Sequence, residues 1–379
     1  MRIEQGIWNK ELGWRRDPPG ALTDSFQLVL IFGATSALKD PKMFQEIRER
    51  YPSAHMLGCS TAGEIAGTQV FDDSLVATAI AFESTRIEGT KIALSDTKSA
   101  FHAGERLAMS LNKESLVHVF VLSDGLKVNG SDLVKGLTKN LSSKVTVTGG
   151  LAGDGDRFKE TLVFWDGPPD KDTIAVLGLY GNRLKVGYGS LGGWDSFGPE
   201  RLITRSRGNI LYELDGQSAL ELYKKYLGEH AKGLPATGLL FPLSIRTKEG
   251  DAGVVRTILS IDEEDRSLTF AGDIPEGAYA RLMKANFDRL IDGAVGAAKT
   301  SYEAIGSTSP DLAVLISCVG RKMILKQRTE EEVEGVHEVL GDKTVLTGFY
   351  SYGEISPFTP SARCELHNQT MTITTFTEY

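Results

Sequence analysis

The stretch Gly58-Cys59-Ser60-Thr61-Ala62-Gly63-Glu64-Ile65 returns near the other end of the chain as Gly348-Phe349-Tyr350-Ser351-Tyr352-Gly353-Glu354-Ile355, both reading Gly-x4-Gly-Glu-Ile. What flanks the two is also alike. Ahead of the first lie an apolar strand at 26–32 and a helix whose start is marked by Asp40 as N-cap and Pro41 at the first helical position. Its stripe is Phe44, Ile47 and Tyr51, and a strand at 75–82 follows the turn. Ahead of the last lie a strand at 312–318 and a helix that Thr329 and Glu332 would open as a reciprocal capping box, with a strand at 370–377 behind. A looser middle copy has a strand at 116–122, a helix opened by Ser131, and a strand at 145–148. It then runs into Gly149-Gly150-Leu151-Ala152-Gly153-Asp154, which reads as one residue shorter, and closes with a strand at 174–180. Continuous apolar strands separated by amphipathic helices predict sheets covered on both faces. The same order three times predicts internal duplication rather than a solenoid. The expected fold class is therefore α/β with mixed sheets: internally repeated strand-helix-strand units forming two lobes, with helices packed on the sheets.

Residues 1–24 read as an irregular N-terminal arm ending in the turn Asp17-Pro18-Pro19-Gly20. The turn-rich run from Gly192 to Pro199 places a boundary near 195–210, giving domains at 25–205 and 206–379. In the second, Asp215 reads as the cap of a helix carrying Leu220, Tyr223 and Leu227. Strands at 253–261 and 266–271 meet at Asp262-Glu263-Glu264-Asp265, and a helix is expected over about 276–304.

Composition narrows the function. A net charge of −8 argues against a general binder of nucleic acid or anionic membrane. Three scattered cysteines, Cys59, Cys318 and Cys364, give no disulfide framework and suit a reducing compartment. The N-terminus lacks the apolar centre of a signal peptide, and no apolar run reaches the roughly 20 residues that span a bilayer. A cytoplasmic protein without membrane insertion is expected.

Glycine turns after strands turn backbone N–H groups outward, and an acid beside them adds a grip for an ammonium or hydroxyl group. The candidate ligand-binding residues are Gly58, Cys59, Ser60, Thr61, Gly63, Glu64, Gly150, Asp154, Tyr350, Tyr352, Gly353 and Glu354. The competing reading is that the glycines permit a chain crossing and the carboxylates cap local amides. Cys59 has no histidine brought to it by any motif, so no catalytic residue is assigned. His55, His102, His118, His230, His337 and His367 form no metal-ligand spacing; His118 reads as a core residue, and His337 flanks the inward face of its helix. A Rossmann or Walker loop is absent. Trp194, Tyr350 and Tyr352 read as packing residues or the lining of an apolar cleft.

The two Gly-Glu-Ile turns, with the intervening stretch from Tyr212 to Leu220, resemble the FIST family over most of the chain. The resemblance implies a non-enzymatic intracellular sensor for small ligands such as amino acids. It also implies signalling to a separate histidine kinase, chemoreceptor or cyclic-dinucleotide protein, as in two-component signalling. Some family members are haem-binding nitric-oxide sensors that regulate a kinase, which makes haem an alternative ligand, although no haem motif matches a position here. A cysteine-dependent enzyme using Cys59 with Glu64 or Glu354 is the reading from another class.

Overall fold

The computed structural model describes residues 1–15, 26–247, 253–358 and 362–379, so the turn Asp17-Pro18-Pro19-Gly20 lies outside the described residues. Each copy of the repeat starts from a strand buried along nearly its whole length: Leu28–Gly33, Leu116–Ser123 and Leu312–Cys318. A helix leads back to a parallel partner, respectively His55–Ser60, Thr146–Leu151 and Val345–Ser351. An antiparallel strand closes the other side: Ser74–Ala81, Thr173–Tyr180 and Met371–Glu378. Covered on both faces, these strands carry apolar side chains in both directions, which is why they read as unbroken apolar runs.

Between the parallel partner and the return strand, every copy leaves its own sheet. Glu64–Ala66 of the first pairs with Val345–Ser351 of the third, Gly353–Pro357 of the third with Thr146–Leu151 of the second, and Val163–Trp165 of the second with His55–Ser60 of the first. A second exchange follows the first and second return strands. Arg86–Ala93 joins the second copy's sheet and Leu184–Leu191 joins the third's. The matching place in the first sheet is taken by Arg2–Asn9, which pairs along the whole of Ser74–Ala81. The result is three six-stranded mixed sheets woven in a closed cycle. Among its described residues, 1–15, the arm expected to be irregular thus holds the strand Arg2–Asn9. Its partner lies far away in sequence, and Gln5 Nε2 also donates to Leu346 O at 3.0 Å, joining two sheets.

A fourth sheet of nine strands occupies the region between Trp194 and Ala285, with the helix Ala219–Leu227 laid on it through Leu220, Tyr223 and Leu227. Three sequence expectations fail here. The helix placed at 276–304 is a strand, Tyr279–Ala285, followed by a helix, Phe287–Ala304, capped by Asn286. The strand at 253–261 is broken at Thr257 into Val254–Arg256 and Ile258–Asp262. Ser218, not Asp215, caps its helix by accepting from Glu221 N–H, while Asp215 sits in a turn with φ +51°. The middle copy's helix likewise starts earlier than Ser131, with Asn129 as its cap.

Candidate functional site

The three points where the chain switches sheets meet at one centre and form a cyclic set of backbone hydrogen bonds. Ala62 N–H donates to Tyr350 O (2.8 Å), Tyr352 N–H to Leu151 O (3.2 Å), and Gly153 N–H to Ser60 O (2.9 Å). This cycle fixes the correspondence between copies. Gly153 matches Ala62 and Tyr352, so Asp154 stands where Gly63 and Gly353 stand. Strand register agrees: Glu64 pairs with Phe349, Glu354 with Gly150, and Val163 with Cys59. The middle copy is therefore not one residue shorter; it carries an extra segment and has Val163 at the glutamate position. Asp124 supplies a carboxylate there instead, accepting from Thr161 Oγ1 at 2.5 Å.

The candidate ligand-binding residues lie in or beside the strands that this cycle ties together, and the polar ones are engaged by the fold itself. Glu64 accepts from Thr61 Oγ1 and from both N–H and Oγ of Ser74 (3.3 and 2.5 Å). Glu354 repeats the arrangement with Ser351 Oγ (2.6 Å) and Thr370 N–H and Oγ1 (3.2 and 3.0 Å). Burial pushes the Glu64 carboxyl up to about 7 and the Glu354 carboxyl up to about 8, with those hydrogen bonds pulling the other way. Asp154 accepts from Tyr352 OH and from Lys159 and Glu160 N–H (3.0 Å each). Ser60 Oγ accepts from Leu162 N–H at 2.9 Å. Gly58, Gly63, Gly150 and Gly353 are buried with the rest. Lys322 closes the centre on one side, donating to Ala62 O at 3.0 Å and to Asp72, with its ammonium 5.4 Å over the Tyr350 ring.

Glu332 does not form the expected capping box. Thr329 Oγ1 donates to Lys326 O, while the Glu332 carboxylate turns inward to Arg321 (Nη2 2.7 Å), Tyr350 OH (2.7 Å) and Ser317 Oγ (3.0 Å). Both members of that ion pair are fully buried. A buried guanidinium needs a carboxylate more than a helix end exposed to water needs a cap.

Burial, with the nearby Glu64 charge, pushes the Cys59 thiol up, opposite to what a nucleophile requires. Among the described residues no group of three or more His, Cys, Asp or Glu side chains is arranged to hold a metal. His118 is a core residue bridging Thr146 Oγ1 (2.6 Å) and Thr148 Oγ1 (3.0 Å), and burial lowers it to about 3. His337 points to the surface beside Asp342. Trp194 is buried, its Nε1–H donating to Gln369 O at 3.0 Å.

A groove of about 1,260 Å³ runs between the helix Gly130–Lys139 on one wall and the strands Leu243–Arg246 and Val254–Arg256 on the other, with Cys364–His367 along its floor. Its charged and polar lining includes Ser131, Lys135, Lys139, Arg246, Arg256, Asp273, Arg363, Glu365 and His367. None of these was singled out as a ligand contact from the sequence. They come from separate stretches with no shared motif, and only the topology assembles them.

The interlocked α/β scaffold, with a polar groove between its halves, spans two family domains. The FIST N domain matches residues 27–217 and the FIST C domain residues 219–357. The chain belongs to the FIST family, whose domains are sensory domains for small ligands. It is 25% identical over 341 residues to an uncharacterized protein of Methanocaldococcus jannaschii, a match covering 81% of this chain and 63% of that relative's length. Among solved structures, a cyanuric acid hydrolase from A. caulinodans aligns over 93% of this chain and 90% of its own, at 7% identity and a TM-score of 0.37. No helix among the described residues is long and apolar enough to cross a membrane.

Proposed function

We propose that the protein is a non-catalytic sensor that takes a small metabolite, an amino acid or a compound of similar size, into the groove and signals to a separate partner. A histidine kinase, chemoreceptor or cyclic-dinucleotide protein is the kind of partner the family suggests. The observation that carries this reading is the groove's position: the helix Gly130–Lys139 belongs to the FIST N part, and Leu243–Arg246 and Val254–Arg256 belong to the FIST C part. A guest touching both walls binds one relative placement of the two better than another, which is what a ligand needs in order to shift a conformational equilibrium. In this reading the Gly-Glu-Ile centre is the hub that holds the three copies in register, and its carboxylates serve the fold.

The test is a bulky side chain in the groove. Thr138 lines it from the helix, with its hydroxyl turned back to Val134 O. Thr138→Trp should leave the protein folded and abolish retention of the small molecules that mass spectrometry finds in the natively purified wild type. Equal retention would place the ligand elsewhere.

One observation favours haem as a second reading. His367 lies on the groove floor with Nε2–H donating to Ser356 O at 2.8 Å, and burial lowers its pKa to about 4, so the ring is neutral and presents Nδ1 as its acceptor nitrogen. Iron held there would supply gas-binding chemistry. A Soret band in haem-loaded protein that is lost in His367→Ala supports this; no Soret band removes it.

A further inference from the structure

We propose that the groove holds an oxyanion subsite, centred on Arg256, that anchors a carboxylate or phosphate group of the ligand. The proposal rests on the groove being the ligand site. Arg256 ends the strand Val254–Arg256 and is 7% exposed. Its hydrogen bonds run to neutral acceptors: Leu366 O from Nη1 (2.8 Å), Asp273 O from Nε (3.3 Å), and Val255 O and Ser131 Oγ at 3.5 Å. Among the described residues no carboxylate lies within ion-pair distance of it. The contrast with Arg321, equally deep and paired directly with Glu332, is sharp. Glu365 and Asp273 are the acids whose charges act on Arg256, neither of them within ion-pair distance, and Asp273 spends its carboxylate on Lys135 and on Asn129 Nδ2 (2.8 Å). A buried guanidinium facing a groove without a direct counter-ion is costly unless an anion completes it.

The surroundings suit such a guest. Nη2 makes only the long contact to Ser131 Oγ, so the donors on that side of the fork remain weakly engaged. Ser131, whose hydroxyl also accepts from Asp273 N–H at 3.2 Å, is the second residue of the ten-residue helix Gly130–Lys139, so the positive end of that helix's dipole lies beside the guanidinium. Gly272 makes the close approach possible: a Cβ there would stand 2.7 Å from Ser131 Oγ and 3.0 Å from Arg256 Nε. The cluster is packed around the guanidinium rather than left loose at a rim.

The experiment titrates the full chain with inorganic phosphate and, separately, with succinate, each against sodium chloride of matched ionic strength, reading the melting temperature and the heat of binding. The wild type should show a saturable response to one or both, and the stronger arm distinguishes a phosphate from a carboxylate ligand. Arg256→Gln should weaken that response about tenfold or more, and Arg256→Lys should recover part of it, because the charge returns without the fork. Should Arg256→Gln fail to fold, Ser131→Ala should still weaken the response several-fold. A wild type that responds to neither anion beyond chloride overturns the subsite, as does an unchanged response in Arg256→Gln or in Ser131→Ala. A neutral or cationic guest displaced by Thr138→Trp would overturn the subsite and leave the sensor reading standing.

Discussion

Glu64 and Glu354 stand at the same place in the first and third copies of the repeat, each tied to a hydroxyl three residues upstream and to the N–H and hydroxyl of the residue at the head of its return strand. Two carboxyls so placed make stability depend on pH. Burial raises both, to about 7 and about 8, from an ordinary 4.5. A folded-state pKa above the unfolded one means the native protein holds its protons longer. The stabilisation is complete below the unfolded value and is lost as pH rises through the folded values. The double variant Glu64→Gln, Glu354→Gln copies the protonated shape and keeps the buried His118 and His367, whose lowered pKa values make stability rise with pH towards about 6.5 in both proteins. The melting temperature of the wild type relative to that variant should therefore fall from about pH 5 to about pH 8 and then level off. A difference that stays constant over this interval would refute the assignment.

The Arg321–Glu332 pair makes a separate prediction. Glu332→Ala leaves a fully buried guanidinium with the carbonyls of Gly192 and Leu290 as its remaining acceptors, and also strands Tyr350 OH. The expected loss is about 3–5 kcal/mol by denaturant unfolding. A loss below about 1 kcal/mol would mean that water reaches the pair.

Gly348 has φ +158°, and a Cβ there would stand 1.8 Å from Leu315 O; Gly149 has φ +152° and the same conflict at 1.9 Å with Val121 O. Each copy needs glycine at this point because the first strand's carbonyl presses against the parallel partner. Gly348→Ala should cost about 3 kcal/mol or more in denaturant unfolding. Gly67→Ala, at φ +57° with nothing within 4 Å, should cost only about 1–2 kcal/mol. Equal costs would contradict the crossing geometry.

These glycines explain what the sequence made legible. The turns stand out because a backbone crossing excludes side chains, and the central strands because burial on both faces leaves no polar alternation. The first strand, Arg2–Asn9, was hidden because its burial alternates weakly and its partner is Ser74–Ala81. Tyr279–Ala285 reads as part of the helix that follows because its charges fall at helical spacing, whereas pairing with Leu243–Arg246 holds it extended. Thr329 and Glu332 have the spacing of a cap, but a buried arginine claims the glutamate. Gly153-Asp154 resembles Gly63-Glu64 in letters while occupying the position before it in space. The groove had no letters of its own: Arg256, Ser131 and Asp273 become neighbours only when the fourth sheet docks against the middle copy's helix.

The most direct test is hydrogen exchange by mass spectrometry on natively purified protein before and after its small molecules are stripped. Removal should speed exchange in the helix Gly130–Lys139 and in Leu243–Arg246 and Cys364–His367, and leave residues 58–65 and 348–355 unchanged. A response confined to those two turns, with the groove walls silent, would contradict the account.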